Sequence, residues 1–482
     1  MKNAFKYLFL LGTTLLSISL LAACSEDEEL VKNKEKPDEE EEDEVTIDNE
    51  TLLVNSFVED TMSIYYFWNE EMPELGPKEI EDSELYFDSL LKKPDDRWSF
   101  ITDDYGALIN YFAGVQKSTG YSLMPIYLNS TSNQVIAFIE YVHRDTPAEE
   151  AGLKRGDMIY KIDGEIIDDQ NFSDLLSRDI FEATLGEFNA NNEIIEVSKV
   201  NIEAIETNLH PVIESTVIDT LGHKIGYLAY SSFVANYDTA LVSAFSEFKT
   251  AGVTDLVFDL RYNGGGAVST AALLGDMIVS PGNARNTFIE RVFNNFLTNE
   301  FKRDPGFSTD DLKIKFEENG FNLGLEKFYV LTTASTASAS EMIIYGLEPY
   351  MDVIQIGTTT HGKYYASTTF SDQANHNWAI QPIILRSINA TNSINYSEGL
   401  SPDIELDDYF YLFPYELGDP KELFMAKAIS EITGEPFIYE DEMGSLKSAN
   451  VRFDQSQKLK QKLYPNRSRM WVNPSEIMNI QE

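Results

Sequence analysis

The chain has 482 residues, 80 acidic against 37 basic side chains, and a formal net charge of -43 at pH 7 with a pI near 4.3. So few cations cannot neutralise a phosphate backbone, which argues against a nucleic-acid partner. A single cysteine, Cys24, rules out an intramolecular disulfide, and five scattered histidines without an HExxH or paired-cysteine motif point to no metal and no cofactor. A hydrophobic content of 43% fits a globular protein, and the length suggests roughly two to four domains.

The first stretch reads as an address. Lys2 and Lys6 precede an apolar run from Tyr7 to Ala23 that ends in Leu21-Ala22-Ala23-Cys24. A basic start, a short apolar core and small closing residues make a secretory signal over residues 1–23. At roughly 17 residues the run is short for a span of ~20, so a transmembrane anchor is the weaker alternative. Leu-Ala-Ala-Cys also resembles the bacterial lipobox. That resemblance implies that Cys24 carries a lipid holding the chain in the outer membrane of a Gram-negative bacterium, on its periplasmic or cell-surface side. Ser25 to Glu29 resembles acidic surface-sorting signals. Residues 24–45, with the acidic block Asp38 to Glu44, form a self-repelling tether.

Residues 46–114 are predicted to be mostly helical. Leu52, Val54, Phe57, Val58, Met62, Ile64, Tyr65 and Trp68 give a broad apolar face, and a second short helix spans Glu84 to Leu91. Within residues 115–206, Gly120-Tyr121-Ser122-Leu123 resembles the carboxylate loop and groove strand of a PDZ domain. Pro147 to Asp157 resembles its helix and following turn, and Ile159 to Ile162 alternates as a strand into an Asp163-Gly164 turn. Such a domain captures a peptide as an added edge strand.

Residues 207–435 alternate strands with helices. Lys224 to Tyr230 reads as a strand, followed by a helix with Leu241, Ala244, Phe245 and Phe248 on one face. Asp255 to Leu260 is a strand running into Arg261-Tyr262-Asn263-Gly264-Gly265-Gly266, a glycine turn that makes a backbone-lined concavity. Neither GxxxxGK[ST] nor GxGxxG is present, which argues against a nucleotide site. Phe288 to Phe321 reads as irregular and polar, a cover for the active site. The buried strand Phe328 to Leu331 then turns through Ala334 to Ser340 into a helix carrying Met342, Ile343, Leu347 and Tyr350. A serine in that turn faces free helix N–H groups and the positive end of the helix dipole. A strand from Val353 to Ile356 leads to Gly357 and Lys363. Tyr364 to Phe370 pairs with Trp378 to Arg386, Leu417 to Ile432 is a helix, and residues 436–482 form an unassigned C-terminal extension.

Thr336-Ala337-Ser338-Ala339-Ser340-Glu341 followed by His361-Gly362-Lys363 resembles the C-terminal processing, or tail-specific, serine peptidases. So do Ile225-Gly226-Tyr227, Asp259-Leu260-Arg261 with its glycines, and Gly399-Leu400-Ser401-Pro402-Asp403-Ile404. The resemblance implies an α+β / α/β multidomain fold: an N-terminal helical region, a PDZ domain and a ClpP/crotonase-like α/β serine peptidase domain. It implies that Ser338 is the nucleophile and Lys363 its general base. It also implies that the amides of Ala339 and Gly265, with Gly264 and Gly266 as neighbouring choices, bind the oxyanion. It further implies that substrates are protein or peptide. A lysine base must be desolvated to lose its proton, and Ile354, Ile356, Tyr364 and Tyr365 are placed to wall it off. The family's glycine and glutamine after the lysine are Tyr364 and Ser367 here. If Lys363, Tyr365 and Ser367 share a strand face, Ser367 can bond the amine with a shorter reach. His361 is a rival base, and a catalytically inactive surface lipoprotein binding peptide or polymer is the rival function.

Overall fold

The computed structural model describes residues 47–129, 131–391, 396–408, 415–437, 456–464, 469–474 and 477. The signal, Cys24 and the tether lie outside these. Among the described residues no helix is long and apolar enough to cross a membrane.

The N-terminal region begins with α1 (Asn49–Tyr65), capped by the Asp48 carboxylate, which accepts from Glu50 and Thr51 N–H. Val54, Val58 and Met62 repeat every fourth residue and give α1 one buried stripe. It packs with α2 (Ser83–Leu90), and α3 (Tyr105–Phe112) follows. The apolar cluster here includes Tyr66, Trp68 and Tyr86, and it reaches across to Ile380 and Ile383. The helices are therefore seated on strands from late in the chain.

The second unit is an antiparallel sheet: β1 (Tyr121–Tyr127), β2 (Val135–Val142), β3 (Met158–Ile162), β4 (Ile180–Phe188) and β5 (Ile194–Glu203), paired in that order. Two short helices, α4 (Pro147–Glu150) and α5 (Phe172–Leu176), complete it. Its core gathers Leu123, Ile139, Ile159, Phe172, Leu175 and Phe181. A two-stranded neck, Val115–Ser118 with Ile205–Asn208, stands where the chain enters and leaves this unit.

The third unit starts with the hairpin β6 (Val212–Thr220) and β7 (His223–Tyr230), then α6 (Asp238–Ala251), β8 (Asp255–Asp259), β9 (Gly265–Ala267) and α7 (Val268–Ile278). Next come β10 (Thr287–Phe293), α8 (Asn295–Arg303), β11 (Lys313–Lys315), β12 (Lys327–Thr332), α9 (Ala339–Leu347) and β13 (Asp352–Gly357). The chain continues through β14 (Tyr365–Ser367), β15 (Ile383–Asn389), β16 (Ile404–Glu405), α10 (Leu423–Thr433), α11 (Ser456–Leu463) and β17 (Arg469–Trp471). The main sheet has the order β6-β7-β8-β12-β13-β16, parallel from β7 onward. Helices cover both faces, which is why its strands read as continuous apolar runs. A second sheet has the order β9-β17-β14-β15-β10-β11.

Three expectations change. Phe288 to Phe321 is not irregular: Ile289, Arg291 and Phe293 alternate inward on β10, and Leu297 and Phe301 are buried on α8, whose cap is Asn294. Charges set among the apolar positions conceal the period, and the buried Arg291 guanidinium is satisfied by the Leu312 carbonyl at 3.2 Å. The helix expected from Leu417 starts at Leu423, because Gly418 at φ +83° and Pro420 make a turn and Glu422 caps the helix by accepting from Phe424 and Met425 N–H. Within the unassigned C-terminal extension, α11 and β17 are regular elements joined to both the PDZ unit and the second sheet.

Candidate active site

Two loops follow neighbouring parallel strands and are stitched together. After β8, the chain passes through Leu260 to Asn263. After β12, it turns through Thr333 to Ser338. Thr336 Oγ1 donates to the Leu260 carbonyl at 2.7 Å, Thr333 Oγ1 donates to the Arg261 carbonyl, and Ala337 N–H donates to the Asn263 carbonyl at 3.1 Å. Small hydroxyl residues are needed here because their side chains replace missing strand partners.

The first loop rests on a charge cluster. Arg261 is fully buried and meets Asp259 at 2.6 Å, Glu422 at 2.8 Å and Asp408 at 3.3 Å. Burial pushes the Asp259 carboxyl up, but the guanidinium outweighs it and holds the group below its ordinary value.

The second loop ends at Ser338, a non-glycine residue at φ 68° and ψ -117°. Such backbone costs on the order of 1–3 kcal/mol and persists only where its surroundings hold it. Ser338 is fully buried, and its Oγ has no hydrogen-bond partner among the described residues. Ala339, the first residue of α9, keeps its N–H outside the helical ladder.

Glu341 holds the site together. Its carboxylate accepts from Ser338 N–H at 2.7 Å, Gly362 N–H at 2.6 Å, Lys363 N–H at 2.9 Å and Thr360 Oγ1 at 2.5 Å. Burial pushes its pKa up from 4.5 to about 7, against the pull of these donors. His361 N–H adds a bond to the Thr336 carbonyl at 2.9 Å. Gly362 is required at φ +92°, since a Cβ there would lie 2.3 Å from the Ser397 carbonyl oxygen. The Ser338 turn and the His-Gly-Lys segment are thus fixed through one acidic side chain. Lys363 is 1% exposed. The His361 imidazole is pushed down to about 4 by burial, then by the positive charges of Lys363 and Arg97.

Other sequence-predicted residues sit differently. The Gly265 N–H donates to Asn263 Oδ1 at 2.8 Å. Ser367 Oγ donates to the Met470 carbonyl at 3.0 Å and accepts from Gln381 Nε2 at 3.1 Å. β14 begins only at Tyr365 and has an irregularity between Ala366 and Ser367, so Lys363 and Ser367 do not share a regular strand face. Ile354 and Ile356 pack in the cluster with Phe424 and Met425 of α10, while Tyr364 packs with Tyr345 and Tyr396. In the PDZ unit, Gly120 sits at φ +92° against Thr146, Tyr121 begins β1, Ser122 Oγ donates to Glu140 at 2.7 Å, and Leu123 N–H donates to Tyr464. Sequence reasoning used Glu341 only as a landmark. Its signal was the Ser-x-x-Glu spacing at a helix start, the pattern of a capping box. Among the described residues no cluster of His, Cys, Asp or Glu could hold a metal ion.

Comparison with known proteins matches residues 224–406 to the model of peptidase family S41, residues 54–100 to the peptidase S41 N-terminal domain, and residues 138–179 to a PDZ domain. The chloroplastic C-terminal processing peptidase of Tetradesmus obliquus is 24% identical over 278 residues, covering 54% of each chain. The carboxyl-terminal-processing protease of Synechocystis is 22% identical over 393 residues, 79% of this chain and 85% of that one. The chain spans about half the length of the Tetradesmus protein and of carboxy-terminal processing protease CtpA of Bacillus subtilis, 54% in each case. A crystal structure of an S41 protease from Bacteroides fragilis superposes with a TM-score of 0.66 at 26% identity, covering 79% of this chain and 97% of that one.

Proposed function

The chain belongs to peptidase family S41, and we propose that it is a serine endopeptidase that cuts protein tails or unfolded segments with a Ser338–Lys363 dyad. The observation that carries this reading is the fully buried Ser338 hydroxyl, without a partner among the described residues, on a strained turn tied by Glu341 to the segment bearing Lys363. A serine hydroxyl attacks a carbonyl only when a base takes its proton. In the proposed reaction the neutral Lys363 amine takes it, and Ser338 Oγ bonds to the scissile carbon. The oxyanion is received by the Ala339 N–H and by a glycine amide of the Gly264–Gly266 turn. For Gly265 to serve, its N–H must exchange Asn263 for substrate. The protonated lysine then gives its proton to the leaving amine, and water, deprotonated by the same lysine, hydrolyses the ester.

His361 is the lesser candidate for base, because an imidazolium there would face burial and the positive charges of Lys363 and Arg97. Ser367 steadies the strand that follows the lysine rather than the amine itself, since its proton goes to Met470. The PDZ unit, through Gly120, Tyr121, Ser122 and Leu123, captures the tail to be cut. A lipid on Cys24 anchors the enzyme in the outer membrane.

The test uses protein starting after the acidic tether, with casein and a tagged substrate ending in small apolar residues. Cleavage by the parent, and none by Ser338→Ala or Lys363→Ala, is expected. Cleavage surviving Lys363→Ala would move the base to another residue. No cleavage by the parent, with peptide binding intact, would favour an inactive binding protein.

A further inference from the structure

Among the described residues β1 is an edge strand, paired with β2 on one side only. The open side of such a strand, beside a short helix, is where a PDZ domain adds a peptide strand. Here that place is filled from within. α11 packs along β1 and against α5. Leu459 is buried with Leu123, Phe172 and Leu175, and Leu463 packs at the margin of the same cluster. The Leu123 N–H, in the strand that would receive a peptide, donates to the Tyr464 hydroxyl at 3.1 Å.

Charge fixes the helix as well. Lys460, 3% exposed, pairs with the fully buried Glu140 of β2, whose other oxygen accepts from Ser122 Oγ at 2.7 Å. The same ammonium lies 5.4 Å over the Tyr262 ring, next to the glycine turn of the catalytic unit. Arg155, from the turn after α4, donates to the Tyr262 hydroxyl at 2.8 Å and to the Glu140 carbonyl. Downstream, β17 lies between β9, the strand of Gly265, and β14, which comes after Lys363. Val472 N–H donates to the Ser367 carbonyl at 3.0 Å, and Thr368 Oγ1 to the Val472 carbonyl at 2.7 Å. One segment therefore touches the PDZ groove and then both strands that flank the catalytic residues.

We infer that α11 is a resident ligand of the PDZ groove, standing where a captured protein tail lies, and that a tail enters by displacing it. This rests on the tail-capture role proposed above. When the helix leaves, Glu140 loses a buried cation. The incoming segment that fits is apolar with a lysine or arginine beside the apolar residue, as Leu459-Lys460 is. Because the helix and β17 follow closely in one chain, its release also loosens the strand that pairs with β9, and cleavage at the otherwise buried Ser338 quickens.

The experiment measures binding of two fluorescein-labelled decapeptides ending in Leu-Ala-Ala, one with an internal Leu-Lys pair and one with Leu-Gln. It uses Ser338→Ala protein with and without Leu459→Asp, Lys460→Met or Tyr464→Phe. Displacing the helix is expected to tighten binding at least tenfold for Leu459→Asp and Lys460→Met and a few-fold for Tyr464→Phe, with the lysine peptide preferred. The same substitutions with Ser338 restored are expected to raise casein cleavage severalfold. If Leu459→Asp fails to fold, the other two decide. Unchanged binding in folded variants, with parental cleavage, would make α11 a fixed cover of the strand edge and overturn the inference while leaving the peptidase intact. Tighter binding with no cleavage by any protein would keep the inference and remove the peptidase reading.

Discussion

Two buried polar clusters lie on neighbouring loops of the main sheet, and they are built oppositely. Around Arg261, the guanidinium nitrogens bond Asp259, Asp408 and Glu422, and Tyr227 adds its hydroxyl to Asp259 at 2.6 Å. Around Ser338, the backbone is strained and a buried hydroxyl lacks a described partner, although Glu341 gathers donors from Ser338, Thr360, Gly362 and Lys363. A saturated cluster holds a loop in place. An unsaturated one, kept in place by its neighbour, has an atom left over for chemistry.

The sharpest way to break this contrast is to substitute one residue from each side. Ser338→Ala should lower kcat by roughly 10⁴-fold or more and shift Tm little, because no described residue is bonded to the lost hydroxyl. Residual turnover within tenfold of the parent would sink the nucleophile assignment. Arg261→Met should do its damage in stability, at about 3–5 kcal/mol, since it strands buried carboxylates. Urea unfolding measures this, and a loss below about 1 kcal/mol would mean that solvent reaches the cluster.

Glu341 bridges the two kinds of behaviour. Its folded pKa of about 7 lies above the ordinary 4.5, so the folded state holds the extra proton between those values. Stability therefore falls as pH rises through that window, with the full cost, on the order of a few kcal/mol, present above pH 7. Activity runs the other way, because only the ionised carboxylate accepts from all its donors. Glu341→Gln should lose roughly 10–100-fold in kcat through misplaced donors, and the fall of Tm between pH 5 and pH 8 should be smaller than in the parent. Equal pH slopes of Tm in the two proteins would mean that Glu341 does not titrate there. Smallest of all, Ser367→Ala should cost a few-fold in kcat at most, with an unchanged pH profile. A shift in that profile would return Ser367 to direct contact with the lysine amine.

Much of this was readable from residue patterns. Apolar runs between turns located β7, β8, β12 and β13, since a parallel sheet covered on both faces needs no alternation. Ser338 and Lys363 stand out through the resemblance of Thr336 to Glu341 and His361 to Lys363 to the motifs of a peptidase family, and that resemblance is the source of their expected roles. The hidden features depended on pairings far apart in sequence. Nothing local to Leu459-Lys460 shows that its partners are Leu123 and Glu140. The Asn263 side chain under Gly265 is likewise invisible to a glycine motif, because it concerns where an amide points.

The place of β17 has a consequence for how the protein comes into being. The strand of Gly265 bridges to Phe233 early in the chain, but it gains a partner strand only when residues 469–471 exist, and the PDZ unit gains the Leu459 side chain of its core only shortly before. During synthesis, Ser338 and Lys363 are therefore made long before the sheet beside them can close. A chain cut short ahead of Arg469 would carry Ser338, Glu341 and Lys363 and lack the strand that joins β9 to β14.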